Sequence, residues 1–308
     1  MKNLMNEGAA EPWDVCTLLP GGTDTQVAEL AARFFNNISS EHRPLDPSNI
    51  APTFDREFPY LTENQISNLL RKMKKSKTTV PGDIVPRLYG LYSDALSVSL
   101  TDIFNSMTQK QVWPEAWRIE YATIIPKSLS PTELSECRNI AWTNYLSKVY
   151  ENVLMTWTRQ EVTTKPSQFG GERGCGTDHL LTTLWHEIGS ALEDHRSAVV
   201  LSAIDLSKAF NRLEHEACLK SFRAKGASNQ VLSLLSAFFM GRVMTVRVGT
   251  SRSAPHAVNA GAPQGSVLGC FLFNIGTDNL EDGCSYLSSG RMGPHQSSEV
   301  LIDDFPAT

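Results

Sequence analysis

The sequence lacks several patterns that would each point to a function. It has no run of about 18 consecutive apolar residues, so no membrane-spanning helix is expected. Its first ten residues carry no apolar core, which argues against secretion and favours an intracellular protein, nuclear or cytoplasmic. The six cysteines are too far apart for zinc-knuckle spacing, and no HExxH pair occurs. Neither Gly-Lys-Ser/Thr nor Gly-x-Ser-x-Gly is present, so a Walker site and a hydrolase elbow are not expected.

The composition is that of a globular protein. The chain has 308 residues, of which 41% are hydrophobic and 20% charged, so it can bury a sizeable core. Its net charge of −5 hides an asymmetry, because residues 205–252 are strongly basic. A basic region between acidic ends can hold a polyanion, although lysines that merely solvate helix faces would give the same pattern.

Helices and strands follow one another without a regular βα alternation, which predicts an α+β fold. Thr62 and Gln65 form a capping box at the start of one helix. Further helices are predicted at 25–38, 94–109, 144–157, 177–192, 214–225, 231–240 and 267–280. Strands are predicted at 121–125, 198–204 and 243–248, with 257–259 pairing back on the last. The strand at 198–204 is almost wholly apolar, which is typical of burial on both faces.

Two stretches carry residues suited to chemistry. Asp205 ends the apolar strand, where a carboxylate is costly without a partner such as a divalent cation. The alternative is that Asp205 caps the next helix. In the stretch 259–266, small residues would let a substrate approach the backbone, with Gln264 hydrogen-bonding to it. An ordinary strand-to-helix turn explains this second stretch equally well.

Together these stretches resemble the first two palm motifs of reverse transcriptases. The motifs are Asp205-Leu-Ser-Lys-Ala-Phe210 and Gly261-Ala-Pro-Gln-Gly-Ser266, and the likeness is closest to retrotransposons without long terminal repeats (LINE-type). Other parts of the chain resemble the same family in the same order: 124–127, 138–144, 147–151, 168–170 with 176–177, and 264–274.

The resemblance implies an RNA-directed DNA polymerase with a right-hand fold, truncated after the second palm motif. A fragment of this kind is expected to be incomplete, and weak or inactive as an enzyme on its own. Fingers and palm subdomains would be present in part and the thumb absent. The implied organisation is an acidic linker with one short helix (1–60), a fingers-like helical region (61–165), a palm-like region (166–282) and an acidic, loop-like tail (283–308).

The resemblance also implies a two-metal transfer of nucleotides to a primer 3′-hydroxyl, with Mg²⁺ or Mn²⁺ as the cofactor. Asp205 would be a metal ligand. Asp303 and Asp304 are the candidates for the third palm motif. Because Pro306 would fall in the strand that follows, an acidic tail is the alternative for these two residues.

The remaining implied site residues would bind the nucleotide. Lys127 and Arg138 would neutralise the triphosphate, although an exposed surface pair is the alternative. Phe210 would lie under the incoming sugar and exclude a 2′-hydroxyl. Gln264 and Gly265 would line the nucleotide and template pocket.

The implied partners are an RNA template, a DNA primer and deoxynucleoside triphosphates, with no membrane. Two other functions remain open. One is a catalytically inactive remnant that binds nucleic acid. The other is an interaction protein that self-associates through apolar faces left bare by the missing thumb.

Overall fold

A computed structural model describes residues 14–46, 58–72, 80–193, 199–201 and 205–279. The α-helices are α1 (Asp24–Ser40), α2 (Glu63–Lys72), α3 (Pro86–Leu91), α4 (Ser93–Lys110), α5 (Tyr145–Glu161), α6 (Thr177–Leu192), α7 (His215–Ala224), α8 (Asn229–Phe239) and α9 (Gly269–Gly276). The strands are β1 (Ile119–Pro126), β2 (Cys137–Trp142), β3 (Val243–Val248), β4 (Ser251–Arg252) and β5 (His256–Ala257). None of the helices in these ranges is long and apolar enough to cross a bilayer.

The five strands form one mixed sheet in the order β2-β1-β3-β4, and β5 also pairs with β3. β1 and β2 are antiparallel, whereas β1 and β3 are parallel. The long connection between β1 and β3 carries α5 to α8, as a parallel pairing requires a crossover. The fold is therefore α+β, as the sequence predicts.

The larger of two apolar cores is made by the helices. Trp113, Phe104 and Tyr150 lie at its centre, where the Trp113 and Tyr150 rings are 5.2 Å apart. The hydroxyl groups of Thr108 and Tyr150 hydrogen-bond at 2.8 Å, which satisfies both inside this core. This core joins α2, α4, α5, α7, α8 and α9 into one body.

The second core lies between α1 and one face of the sheet. Thr23 and Gln26 form a capping box at the start of α1. Val27, Ala31 and Phe35 are buried against β3 and its neighbours. The region expected to be a linker thus contains a helix that is packed on the sheet.

Most predicted elements are confirmed. The Thr62–Gln65 capping box forms, with the Thr62 amide 2.9 Å from Gln65 Oε1. Asn144 caps α5, and Gly226 follows α7 with a φ of +92°. β2 was not predicted, because Arg138 and Asn139 interrupt its apolar pattern.

The predicted strand at 198–204 is wrong where it can be compared. Residues 199–201 form no strand, and Val200 is 87% exposed. Ala198 and residues 202–204 lie outside the described residues. A strand buried on both faces needs backbone partners at both edges. In the described part of the chain, the sheet offers residues 199–201 no such pairing.

Helix α6 forms as predicted, but its apolar face is not covered by any described residue. Leu181 and Trp185 are 55% and 79% exposed, and no residue of α6 is buried. The apolar spacing therefore predicts the helix correctly, but not the exposure of its apolar side chains.

Candidate functional site

The two predicted motifs meet at Gly261. The Gly261 amide donates to Leu213 O at 2.7 Å, and the Ala262 amide donates to Phe210 O at 2.9 Å. A Cβ on Gly261 would lie only 2.9 Å from Phe210 O, and its φ is +96°. Glycine is thus required here by both the close approach and the backbone conformation. The fold brings the end of the first motif against the start of the second.

Residues 259–268, which we call the second-motif loop, are fixed at their start by α1. Ser39 Oγ accepts hydrogen bonds from the amides of Asn259, at 2.7 Å, and Ala260, at 2.9 Å. Ser39 is buried, so these bonds are shielded from water. The helix in the predicted linker therefore positions part of the site.

The middle of the second-motif loop is fixed by β2. The Ala141 amide donates to Gln264 O at 2.8 Å. Gly265 has a φ of +128°, and a Cβ there would lie 2.5 Å from Ala141 O. The expectation that Gly265 lines the nucleotide and template pocket stays a prediction. The structure assigns it a conformational role, because no other residue fits this approach.

Glu151 holds the end of the loop, and the sequence analysis gave it no role. Its carboxylate is fully buried and accepts the amides of Val267, at 2.6 Å, and Leu268, at 3.3 Å. Ser147 Oγ donates to the same carboxylate at 3.1 Å. Burial raises the pKa of Glu151, against the lowering effects of Arg242 and these donors. The sequence signal that could have identified Glu151 is the presence of a glutamate on the buried face of α5.

His215 is a second residue that the sequence analysis missed. Its ring is buried, stacks on Phe239 at 4.1 Å, and places Nε2 2.9 Å from Gly261 O. Burial lowers the pKa of His215 to about 4, so the ring is neutral near pH 7. A neutral ring that meets a carbonyl through Nε2 carries its proton there and donates it.

A polar cavity lies between the second-motif loop, α1 and the sheet. Its volume is about 30 Å³, which is the space of one water molecule. Its lining includes Asn36, Glu120, Asn139, Asn211 and Gln264. The Asn211 side chain donates to Asn139 Oδ1 at 3.2 Å. The cavity lies between Gln264 and Asn211, the residue after the first motif, and it is too small for a nucleotide. The predicted contact of Gln264 with a nucleotide stays a prediction.

Phe210 is half-buried beside this loop. Its ring stacks on Phe273 with centroids 4.7 Å apart. Phe273 belongs to α9, which follows the second-motif loop. Phe210 is thus fixed against the second motif from two sides, through its ring and through its carbonyl.

Lys127 and Arg138 lie near each other on the β1–β2 hairpin. Arg138 pairs with Ile125 across the two strands, two positions from Lys127. Lys127 Nζ donates to Ser135 O at 2.9 Å, and both cations are exposed. The hairpin presents these two positive charges to solvent, and the exposed carboxylate of Glu136 lies near Lys127.

The glycine-rich segment before α6 is tied to α5 and α9. Arg159 binds Glu172 through two hydrogen bonds of 2.8 and 3.3 Å. The Asn274 side chain donates to Gly170 O at 2.8 Å. Asn274 is the last residue of the segment 264–274 and Gly170 is the last of 168–170, so two of the resembling segments are in direct contact.

The predicted metal ligands are not brought together by the described residues. Asp205 is exposed at the start of a described segment, and Asp303 and Asp304 lie outside the described residues. Over the described ranges, no group of three or more His, Cys, Asp or Glu side chains converges on a point. An exposed carboxylate suits Mg²⁺, but Asp205 alone does not make a two-metal site.

Comparison with known proteins identifies the family of this chain. Residues 125–287, just over half of the chain, match the family described as reverse transcriptase (RNA-dependent DNA polymerase). The chain is 29% identical, over 71% of its length, to the RNA-directed DNA polymerase from mobile element jockey of Drosophila funebris. It is 25% identical, over 82% of its length, to the probable RNA-directed DNA polymerase from transposon X-element of Drosophila melanogaster.

A third relative is the retrovirus-related Pol polyprotein from type-1 retrotransposable element R2 of Popillia japonica. It is 27% identical to this chain over 58% of the chain's length. The chain spans between 24% and 29% of the length of these three relatives. The matched region contains the end of β1, all of β2, both motifs and α9. The chain therefore belongs to the reverse transcriptase family and carries a reverse transcriptase domain of the non-long-terminal-repeat retrotransposon type.

Proposed function

We propose that this domain provides the nucleotide-binding and template-binding side of an RNA-directed DNA polymerase. The reaction would be nucleotidyl transfer to a primer 3′-hydroxyl. The observation that carries the proposal is the contact between the two motifs, in which Ala262 binds Phe210 O and Gly261 packs on Asn211. Relatives named as RNA-directed DNA polymerases support the same reaction.

In this proposal the β1–β2 hairpin and α2 to α5 belong to the fingers, and residues 205–279 belong to the palm. These two parts lie within the predicted regions 61–165 and 166–282, whose boundaries stay predictions. An RNA template, a DNA primer and deoxynucleoside triphosphates would be the substrates, as the family implies.

The proposed roles follow from the positions of the side chains. Lys127 and Arg138 would bind the triphosphate from the exposed hairpin. Gln264 would contact the nucleotide from a loop that is fixed at three points. Phe210 would support the sugar, because its ring is held by Phe273.

A divalent ion, Mg²⁺ or Mn²⁺, would supply charge stabilisation at the transferring phosphate. The ligand set of Asp205 with Asp303 or Asp304 stays a prediction. The residues of the described ranges do not complete this set, so no step of the transfer is assigned to it.

Primer extension by the whole chain tests the proposed function. An RNA template with an annealed DNA primer is incubated with deoxynucleoside triphosphates and Mg²⁺ or Mn²⁺. Extension by the wild type, with at least a hundredfold loss in Asp205→Asn, would support the proposal. Asp178→Asn, which changes an exposed carboxylate on α6, should extend normally. Phe210→Ala should increase ribonucleotide incorporation relative to deoxyribonucleotide.

A catalytically inactive nucleic-acid-binding domain is the second candidate. The exposed position of Asp205 favours it, because the described residues do not surround this carboxylate with further ligands. Absence of extension with either ion, together with salt-sensitive binding of the primer–template, would overturn the polymerase proposal for this chain and support this candidate.

A further inference from the structure

Helix α1 contacts both motifs, although it precedes the residues that match the family. The helix ends at Ser40, whereas the match begins at residue 125. Its last turn holds the second-motif loop, because Ser39 Oγ accepts the amides of Asn259 and Ala260. Its contact with the first motif is made by Phe34, five positions before Ser39. Both motifs are therefore bound to the same short stretch of one helix.

Lys208 is the residue of the first motif that contacts α1 through its side chain. Its Nζ lies 4.4 Å from the centroid of the Phe34 ring, and both residues are half-buried. A cation over an aromatic ring is attracted to it, more strongly where water is partly excluded. The Phe34 ring meets the buried Phe35 edge-on, with centroids 5.1 Å apart. Lys208 is thus bound to a ring that is packed against the second core.

The backbone of Lys208 adopts an uncommon conformation. Its φ of +54° and ψ of +34° lie in the left-handed region, which is unfavourable for a residue with a side chain. Such a conformation persists where surrounding contacts hold it. The Lys208 carbonyl accepts the Asn211 amide at 2.9 Å, which closes a turn around Phe210. The contact with Phe34 therefore supports the turn that orients Phe210.

Helix α1 is anchored to the sheet independently of both motifs. The Glu29 carboxylate accepts the Ala254 amide at 3.1 Å and lies 3.2 Å from His256 Nε2. Both partners belong to the segment between β4 and the end of β5. Because α1 is fixed there and packed along its apolar face, it is a firm support for whatever its last two turns hold.

We propose that α1 is a positioning element of the polymerase site, with Phe34 and Ser39 as positioning residues that fix the two motifs relative to each other. Phe34 acts through Lys208 on Phe210, and Ser39 acts through the loop amides on Gln264. The inference rests on the proposed function, because that proposal assigns Phe210 and Gln264 to the nucleotide. Nucleotide selection by this chain thus depends on residues that lie before the matched region.

Hydrogen exchange of the whole chain, resolved to single amides by mass spectrometry, tests this positioning and requires no activity. The amides of Asn259 and Ala260 report on Ser39, and those of Gly261 and Ala262 report on the contact between the motifs. Ser39→Ala should speed exchange at Asn259 and Ala260 at least tenfold, because two buried amides lose their acceptor.

The contact between Phe34 and Lys208 is tested by a double-mutant cycle. Phe34→Leu and Lys208→Gln should each speed exchange at Gly261 and Ala262 about two- to fivefold. The double variant should exchange no faster than the faster single variant, since both substitutions remove one contact. Phe34→Tyr keeps the ring and Lys208→Arg keeps the cation, so both should exchange like the wild type.

Ser40→Ala is the matched control for Ser39→Ala. Ser40 is the exposed neighbour of Ser39, and its hydroxyl donates to Asn37 O within α1 at 3.1 Å. This variant should leave all four reporter amides unchanged. Amides in the middle of α8, which is buried in the larger core, should exchange equally in all variants and thereby show that the fold is intact.

Primer extension adds a readout that a purely structural role would not change. Where the wild type extends a primer, Phe34→Leu should raise the ratio of ribonucleotide to deoxyribonucleotide incorporation at least twofold. The KM for the deoxynucleotide should rise more than kcat falls, because Phe34 touches no reacting atom. Phe34→Tyr should restore the wild-type ratio.

The outcomes separate this inference from the proposed function. Unchanged reporter exchange in Ser39→Ala, or an equal increase in Ser40→Ala, would overturn the positioning by α1. Additive effects of Phe34→Leu and Lys208→Gln would overturn their direct contact. Faster exchange with an unchanged nucleotide ratio would overturn the role in selection. A wild type that extends no primer would count against the proposed function, while the exchange data still decide whether α1 holds the motifs.

Discussion

The second-motif loop and the segment formed by α6 with residues 199–201 are held very differently. The loop is fixed by Ser39, Ala141, Glu151 and His215, which come from four separate elements. No residue of α6 is buried, and residues 199–201 are exposed. The described residues therefore fix the second-motif loop from four elements and leave α6 and residues 199–201 uncovered.

This difference predicts where substitutions destabilise the fold. A buried polar group that loses its partner costs the full desolvation of the remaining atoms, whereas an exposed apolar side chain can change at little cost. Four experiments test the contrast, beginning with the largest expected effect.

Glu151→Ala should lower the free energy of unfolding by about 3 kcal/mol, because the amides of Val267 and Leu268 lose their shared acceptor in a buried position. Glu151→Gln keeps a carbonyl oxygen and should cost less than half as much. Urea unfolding measures both variants. A Glu151→Ala protein within about 1 kcal/mol of the wild type would show that the loop does not depend on this carboxylate.

Gly265→Ala should cost about 2–3 kcal/mol, since it adds a Cβ 2.5 Å from Ala141 O at a φ of +128°. Gly174→Ala is the matched control, because its φ of +79° is also positive but a Cβ there meets no atom within 4 Å. The control should cost about 1 kcal/mol. Equal losses in thermal or urea unfolding would refute the close approach at Ala141.

His215 should make stability depend on pH. Its folded pKa of about 4 lies below the ordinary value of 6.5, so the unfolded chain takes up the proton first as the pH falls. Its contribution is fully present above pH 6.5 and declines by up to about 1.4 kcal/mol per pH unit towards pH 4. His215→Gln keeps a donor and does not titrate. The same pH dependence in both proteins would contradict a buried neutral histidine.

Trp185→Gln on α6 should change the free energy of unfolding by less than about 0.5 kcal/mol, because the side chain is 79% exposed. Leu235→Ala on α8, a fully buried position, should cost about 2–5 kcal/mol in the same urea assay. A large loss in Trp185→Gln would reveal that α6 is covered in solution and would remove the contrast.

The sequence predicted the helices well where the spacing of apolar residues determines them. The apolar spacing of α2, α4 and α5 and the caps Thr62 and Asn144 were sufficient, because these signals are local. The sequence identified the glycines of the second motif. Their conformational role became clear only from the structure, which shows the carbonyl groups that lie against them. Local pattern cannot show which atom approaches a glycine from a distant strand.

Three features could not be predicted because they depend on tertiary contacts. The apolar residues of α6 and of 199–201 are evident from the sequence. The sequence does not show which part of the protein, if any, covers them. Glu151 and His215 are ordinary charged or polar residues until the fold buries them against backbone groups. The pairing of β2 with β1 stabilises a strand whose own composition is mixed.

The hydrogen bond between Ser39 and Ala260 joins residues separated by 221 positions, which affects how the chain folds during synthesis. Helix α1 precedes all the strands in the chain, and β3, which buries part of its apolar face, follows about 200 residues after the end of α1. At about 5–20 residues per second, this helix waits roughly 10–40 s for its partner. Its apolar face is therefore an expected binding surface for chaperones on the nascent chain.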